Sequence, residues 1–186
     1  MAENQNTNCS KILLHACCAI CSGYPIVFLQ NMGYSVVVYF YNPNIYPQEE
    51  YQRRLEAQKT LCKHLGVELI IGDYNPEEYY NYVKGLESEP ERGLRCDKCF
   101  ELRLNKAAQK AKELGIEEFT TSIVISPHKN FEKLTQIGSE VAQKNNIKYL
   151  PINFRKKDGF LKTNKIANEL NLYRQKYCGC KYAQTN

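Results

Sequence analysis

Five short apolar runs alternate with helix-forming stretches along this chain, and that alternation constrains its fold more than any other feature. Residues 11–16, 34–41, 67–71, 118–125 and 148–154 are rich in β-branched and aromatic side chains and too short for ordinary helices. Helices are predicted over 25–32, 47–65, 75–84, 97–114, 129–144 and 163–170. The one at 47–65 carries Glu49 and Glu50 in its first turn, Lys59 and Lys63 later, and Gly66 as its stop, as the helix dipole and C-cap preferences require. The one at 97–114 has an apolar stripe through Phe100, Leu104, Ala107, Ala108 and Ala111. Strands that alternate with helices pair in parallel through right-handed crossovers, so the expected fold class is an α/β three-layer sandwich with a mostly parallel sheet. In such sheets the ligand crevice lies beyond the carboxyl ends of the strands.

A chain of 186 residues can bury a full core without covalent staples. Residues 1–10 are polar and lack the basic and apolar regions of a secretory signal, which reads as a flexible tail before one α/β catalytic domain at 11–186. The most apolar run, 36–41, is far shorter than the roughly 20 residues of a membrane span. The expected location is therefore cytoplasmic. Thiols are kept reduced there, so clustered cysteines favour metal binding or redox chemistry over structural bridges.

Seven of the nine cysteines fall in three clusters. Cys17, Cys18 and Cys21 follow the first strand and so sit at the crevice edge. Cys96 and Cys99 open a helix, where amide N–H groups and the dipole favour sulfur anions. Side chains of adjacent Cys17 and Cys18 diverge unless the local backbone turns, which suits bonds to different irons better than a four-sulfur zinc site. With Cys96 and Cys99 they supply the four thiolates of a [4Fe–4S] cluster, leaving Cys21 as an extra ligand beside it. Spacing alone fits a structural zinc held by Cys18, Cys21, Cys96 and Cys99 equally well. Cys178-Gly179-Cys180 brings two thiols into the range that a strained, reducible disulfide tolerates, and a pair of ligands or idle thiols is the competing reading. Cys62 reads as a small core residue and Cys9 as part of the tail. Of the histidines, His15 reads as a packed strand residue and His64 as a helix C-terminal cation. His128 follows Ser126-Pro127 at the crevice edge, where it is a candidate proton donor.

The net charge of +5 is unevenly spread. From Lys148 onward nine basic residues face only Asp158 and Glu169, so this segment carries +7 and the remainder −2. A basic, tyrosine-containing end suits a phosphate-rich partner, with Arg155, Lys156, Lys157 and Arg174 as candidate nucleic-acid contacts. A solvated charged face would look the same.

Five motifs resemble those of a known family. They are His15-x-Cys17-Cys18-x-x-Cys21-Ser22, Arg95-Cys96-x-x-Cys99-x-x-x-Arg103-Leu104, Thr120-Thr121 with Ser126-Pro127-x-Lys129, Phe154-Arg155-Lys156-x-x-Gly159, and Tyr173-Arg174-Gln175-x-Tyr177-Cys178-Gly179-Cys180. In this order, over nearly the whole chain, they resemble the QueH-type epoxyqueuosine reductases. The resemblance implies a Rossmann-like or HUP-like sandwich with an Fe–S site at the C-terminal edge of the strands. It implies reduction of epoxyqueuosine to queuosine at the wobble position of a tRNA anticodon loop, with electrons from a donor still to be identified. It implies a [4Fe–4S] cluster on Cys17, Cys18, Cys96 and Cys99, an additional adjacent iron near Cys21, and a redox-active disulfide between Cys178 and Cys180. Two readings of other classes stand beside it: a zinc-stabilised RNA-binding module without catalysis, and a thiol–disulfide oxidoreductase.

Overall fold

The structure is a computed structural model in which residues 9–183 are described. Residues 1–8, most of the expected N-terminal tail, lie outside them. The chain runs β1 (Lys11–His15), α1 (Ala19–Asn31), β2 (Ser35–Phe40), α2 (Gln48–Leu65), β3 (Glu68–Ile71), α3 (Pro76–Tyr82), α4 (Leu94–Glu113), β4 (Glu118–Thr121), α5 (Phe131–Asn145), β5 (Lys148–Tyr149) and α6 (Gly159–Glu169). All strand pairs are parallel, in the order β3-β2-β1-β4-β5. β1 is central, with Leu14 opposite Val38 on one side and Thr120 on the other. Helices α1, α2 and α6 pack together on one face, and α3, α4 and α5 on the other. Both faces of the sheet are thus covered, which is why Ile12, Leu13 and Leu14 are all fully buried rather than alternating. The expected α/β three-layer sandwich is the observed one.

The chain leaves β1 for β2 in one direction and later returns to β4 on the opposite side. The carboxyl ends of β1 and β4 therefore form the switch point at which such sheets bind ligands. Helix termini follow the chemistry of the sequence. Gly66 ends α2 in the left-handed conformation at φ +64, and Glu49 and Glu50 sit in that helix's first turn.

Three elements differ from expectation in ways that shape the crevice. Helix α1 starts at Ala19, six residues before Pro25, so Cys21 lies in its first turn. Tyr24 N donates to Thr163 Oγ1 at 3.2 Å, and that hydroxyl donates on to Ile20 O, so a threonine of α6 bridges the turn before the proline. Strand β4 stops at Thr121, whose side chain accepts from Ile123 N at 3.2 Å and starts a buried 3-10 turn, Ser122–Ile125. Strand β5 is only two residues long: Leu150 N still donates to Phe119 O at 2.9 Å, but Ile152 N turns back to Leu150 O at 2.9 Å instead of continuing the ladder.

Candidate active site

The three thiols after β1 converge. Cys18 has extended backbone at the N-cap of α1, and its carbonyl accepts from Cys21 N at 3.2 Å and Ser22 N at 3.1 Å. This turn brings the sulfurs of Cys17, Cys18 and Cys21 within 4.8 Å of one another, close enough to hold one metal ion. Ser122, from the turn after β4, fixes Cys17 through its hydroxyl. That oxygen accepts from Cys17 N at 3.2 Å and lies 3.6 Å from Cys17 Sγ. Gln175 Nε2 donates to Cys18 Sγ at 2.8 Å. Sulfur hydrogen bonds from Cys18 and Cys21 hold the Cys17 thiol well below its ordinary pKa. The contact with Cys17 pushes Cys18 up to about 12 against a lowering contact with Cys21, and contacts with Cys17 and Cys18 push Cys21 well above its usual value. One negative charge is easily shared among these sulfurs, and a second is not.

These thiols line a cavity of about 530 Å³ whose wall also includes Asn42, Arg103, His128, Lys129, Arg174 and Cys178. Cys96 and Cys99, in the first two turns of α4, are not part of the compact trio. They line a narrow inner cleft with Tyr79, Arg103, Cys178 and Cys180. Burial raises both thiols, Cys99 to about 12. Cys178 and Arg103 are common to both cavities, and so is Glu91. All seven clustered cysteines therefore surround two adjoining spaces at the carboxyl edge of the sheet, drawn from the ends of β1 and α4 and from the C-terminal segment.

Cys178 and Cys180 are free thiols with different surroundings. Half-buried Cys178 has Lys129 Nζ at 3.5 Å, and Glu91 Oε1 holds that ammonium at 3.0 Å. Burial works against the Lys129 charge, but the Cys178 sulfur and Glu91 outweigh it and keep the pKa above the usual lysine value. Cys180 is buried, with Tyr79 Oη at 3.0 Å. The loop that carries the pair is pinned from α2. Arg54 Nη2 donates to Tyr177 O and Nη1 to Cys178 O, each at 3.0 Å, while Tyr46 N donates to Gly179 O at 2.8 Å. Glu50 Oε1 holds Arg54 Nε at 2.7 Å, and its other oxygen accepts from Tyr173 Oη at 2.6 Å.

The remaining sequence candidates are scattered more widely. His128 is exposed at the cavity wall. Arg174 also lines it, with its guanidinium donating to Asn164 Oδ1 at 2.9 Å and Asn168 Oδ1 at 2.8 Å. Arg155, Lys156 and Lys157 are not among the residues that line the thiol cavity. The short β5 ends at Tyr149, and Lys156 and Lys157 instead flank a separate groove with Phe28 and Phe131. His15 is the packed strand residue expected. Its ring lies 3.0 Å from Thr121 Oγ1 and 3.1 Å from Tyr41 O, and burial, then Arg103, lower its pKa to about 4. Cys62 is buried and accepts from Gln58 Nε2 at 3.3 Å. Sequence reasoning gave no role to Arg54, Glu91, Arg103, Lys129 or Gln175. The i,i+4 spacing of Glu50 and Arg54 is a visible signal of their pairing, but nothing local shows what Arg54 clamps.

The chain matches the family model described as "Epoxyqueuosine reductase QueH" over residues 12–186. Similar relatives include the epoxyqueuosine reductase QueH of Streptococcus pyogenes serotype M1, 42% identical over 179 residues, covering 93% of this chain and 70% of the relative. That of Staphylococcus epidermidis is 40% identical over 181 residues, with 93% and 76% covered. Among solved structures, a predicted subunit of tRNA methyltransferase from Methanocaldococcus jannaschii aligns with TM-score 0.58 at 14% identity, covering 83% of this chain and 74% of that one. The U34-tRNA thiolase NcsA from Methanococcus maripaludis with its [4Fe-4S] cluster aligns with TM-score 0.54 at 13% identity, covering 89% and 58%. At these identities the structural likeness speaks to the fold alone.

Proposed function

The chain belongs to the epoxyqueuosine reductase QueH family, and from that membership we propose that its thiol cavity reduces epoxyqueuosine in tRNA to queuosine. The observation that carries this reading is the position of Cys178. It lines the larger cavity with Cys17, Cys18 and Cys21 and also the inner cleft with Cys96, Cys99 and Cys180. The proposed redox pair and the proposed metal-binding thiols thus border two adjoining spaces, the larger of them open to a substrate.

The finer assignment places a [4Fe–4S] cluster on Cys17, Cys18, Cys96 and Cys99, with Cys21 available to a further iron. An all-sulfur donor set at the end of a strand and the start of a helix fits such a group. A bound cluster supplies electrons one at a time. The compactness of Cys17, Cys18 and Cys21 gives a single-ion site its own support, with zinc as the competing occupant.

The chain's own residues complete the chemistry. Epoxide removal takes two electrons and two protons: both carbon–oxygen bonds break, an alkene forms and the oxygen leaves as water. Oxidation of the Cys178 and Cys180 dithiol to a disulfide supplies both electrons and both protons, breaking two S–H bonds and forming one S–S bond. A donor of electrons then returns the pair to the dithiol. Lys129, fixed by Glu91 beside Cys178, places a positive charge where a sulfur or oxygen anion develops. His128 at the cavity wall is the candidate proton donor to the departing oxygen, taking up a proton of the dithiol in return. Arg155, Lys156, Lys157 and Arg174 are candidate phosphate contacts, and unpaired anticodon-loop bases are the cheapest to extrude into a pocket.

The test is anaerobic reconstitution with iron and sulfide, followed by incubation with epoxyqueuosine-containing tRNA and a reductant. Conversion to queuosine by nucleoside analysis is the expected result. Persistence of epoxyqueuosine with the protein fully loaded with iron overturns the activity. One zinc and no iron per chain overturns the cluster assignment.

A further inference from the structure

Arg103 of α4 is a buried cation, only 4% exposed. Its Nε donates to Cys99 O at 3.2 Å and its Nη1 to Asn42 Oδ1 at 3.3 Å, and its guanidinium lies 5.6 Å from the centre of the Phe100 ring. These partners are all neutral. Buried Arg54, by contrast, has Glu50 at 2.7 Å. Among the described residues no carboxylate lies within ion-pair distance of Arg103. Glu91 is the only carboxylate on the wall of either thiol cavity, and Lys129 engages it.

A guanidinium taken out of water needs an anion nearby, or it destabilises the fold. The acidic groups that face Arg103 are the sulfurs of Cys99, Cys178 and Cys17, and the Tyr79 hydroxyl. Metal binding displaces protons from cysteine ligands and leaves anionic sulfur in their place.

We propose that Arg103 is the built-in counter-charge of a thiolate-bound metal centre in the adjoining cavities. It is a positioning residue that sets the net charge around that centre and with it the reduction potential. The inference rests on the reading that these cysteines hold metal. It has a consequence in each state of the protein. In the metal-free chain fewer of the facing sulfurs are anionic, and Arg103 stabilises the fold less. In the loaded chain it is paired and strengthens both the fold and metal retention. It also favours the reduced centre, because each added electron is a further negative charge beside a fixed positive one.

The full-length wild type, Arg103→Met and Arg103→Lys would be compared anaerobically, after chelation and after loading, by unfolding midpoint and by reductive titration. R103M is expected to lose more stability when loaded than when metal-free, and to bind metal at least tenfold more weakly. At a fixed potential its reduced-to-oxidised ratio is expected to fall about tenfold, equivalent to about 59 mV for one electron, and R103K should restore most of it. Equal stability losses in both states with an unchanged potential would overturn the proposal. Arg103→Gln, which keeps a donor toward Cys99 O or Asn42 Oδ1, replaces R103M if the latter does not fold. A wild type that takes zinc instead of iron removes the cluster assignment, and the same stability comparison with zinc then decides on Arg103. A wild type that binds no metal removes the underlying reading and this inference with it.

Discussion

Cys178 and Cys180 are separated by one glycine, yet one faces a cavity beside an ammonium and the other is buried against a tyrosine hydroxyl. Under the proposed chemistry this makes Cys178 the accessible partner. Cys178→Ser is expected to abolish multiple turnover while leaving iron content and the visible spectrum unchanged, and full turnover by this variant would remove the pair from the reaction. Lys129→Met is expected to lower kcat about 10²-fold at the same metal content, with partial recovery in Lys129→Arg, as steady-state kinetics on modified tRNA would show. Little of this residue-level asymmetry is legible in the sequence. Cys-Gly-Cys is visible as a spacing, but Glu91 and Lys129 are 38 positions apart and meet only because a loop before α4 and a turn after β4 open on the same edge.

Helix α2 contributes no thiol to the site yet holds the loop on which two thiols sit. Arg54 donates to the carbonyls of Tyr177 and Cys178, and Gly179, at φ +110, leaves just enough room beside it: a Cβ there would approach Arg54 Nη1 to 3.0 Å. Replacing Arg54 by Met would leave Glu50 buried without its cation. The expected cost is about 3–5 kcal/mol by urea unfolding, accompanied by faster alkylation of Cys180 in the native protein. A loss below about 1 kcal/mol with Cys180 still protected would show that α2 does not hold the loop. The length and polarity of this helix are plain in the sequence, including its acidic first turn and its glycine stop. The start of helix α1 is less legible: Pro25 marks a helix start in sequence, whereas α1 begins at Ala19 and runs through it, with Thr163 of a distant helix bonded to Tyr24 N beside the proline.

Across the whole molecule, basic groups stand both at the thiol cavity, where Arg92, Lys129, Arg174 and Lys176 line the wall, and apart from it. Lys156 and Lys157 of the basic run flank a groove with Phe28 and Phe131, whereas Arg174 lies at the thiol cavity. A tRNA large enough to reach both would use the first for its backbone and the second near the modified base. Replacing Arg155, Lys156 and Lys157 together with Ala is then expected to weaken tRNA binding and to reduce the slope of log affinity against log salt by about two, with kcat little changed. An unchanged salt slope would take this groove out of the interface. No helix among the described residues is long and apolar enough to cross a membrane.

By itself the sequence determined the α/β sandwich, because period and turn chemistry are local. It also determined which thiols lie at the carboxyl edge of the sheet, because strand ends follow from the same local signals. The motif order carried the family. What the tertiary structure alone decided is which groups share a space: Cys178 between two cavities, Arg103 among sulfurs without a carboxylate, Arg54 on the carbonyls of a loop more than 120 residues away. A parallel sheet brings distant strand ends to one edge, but the side chains that meet there are fixed by packing and by the need of each buried charge for a partner. Neither leaves a periodic trace in the chain.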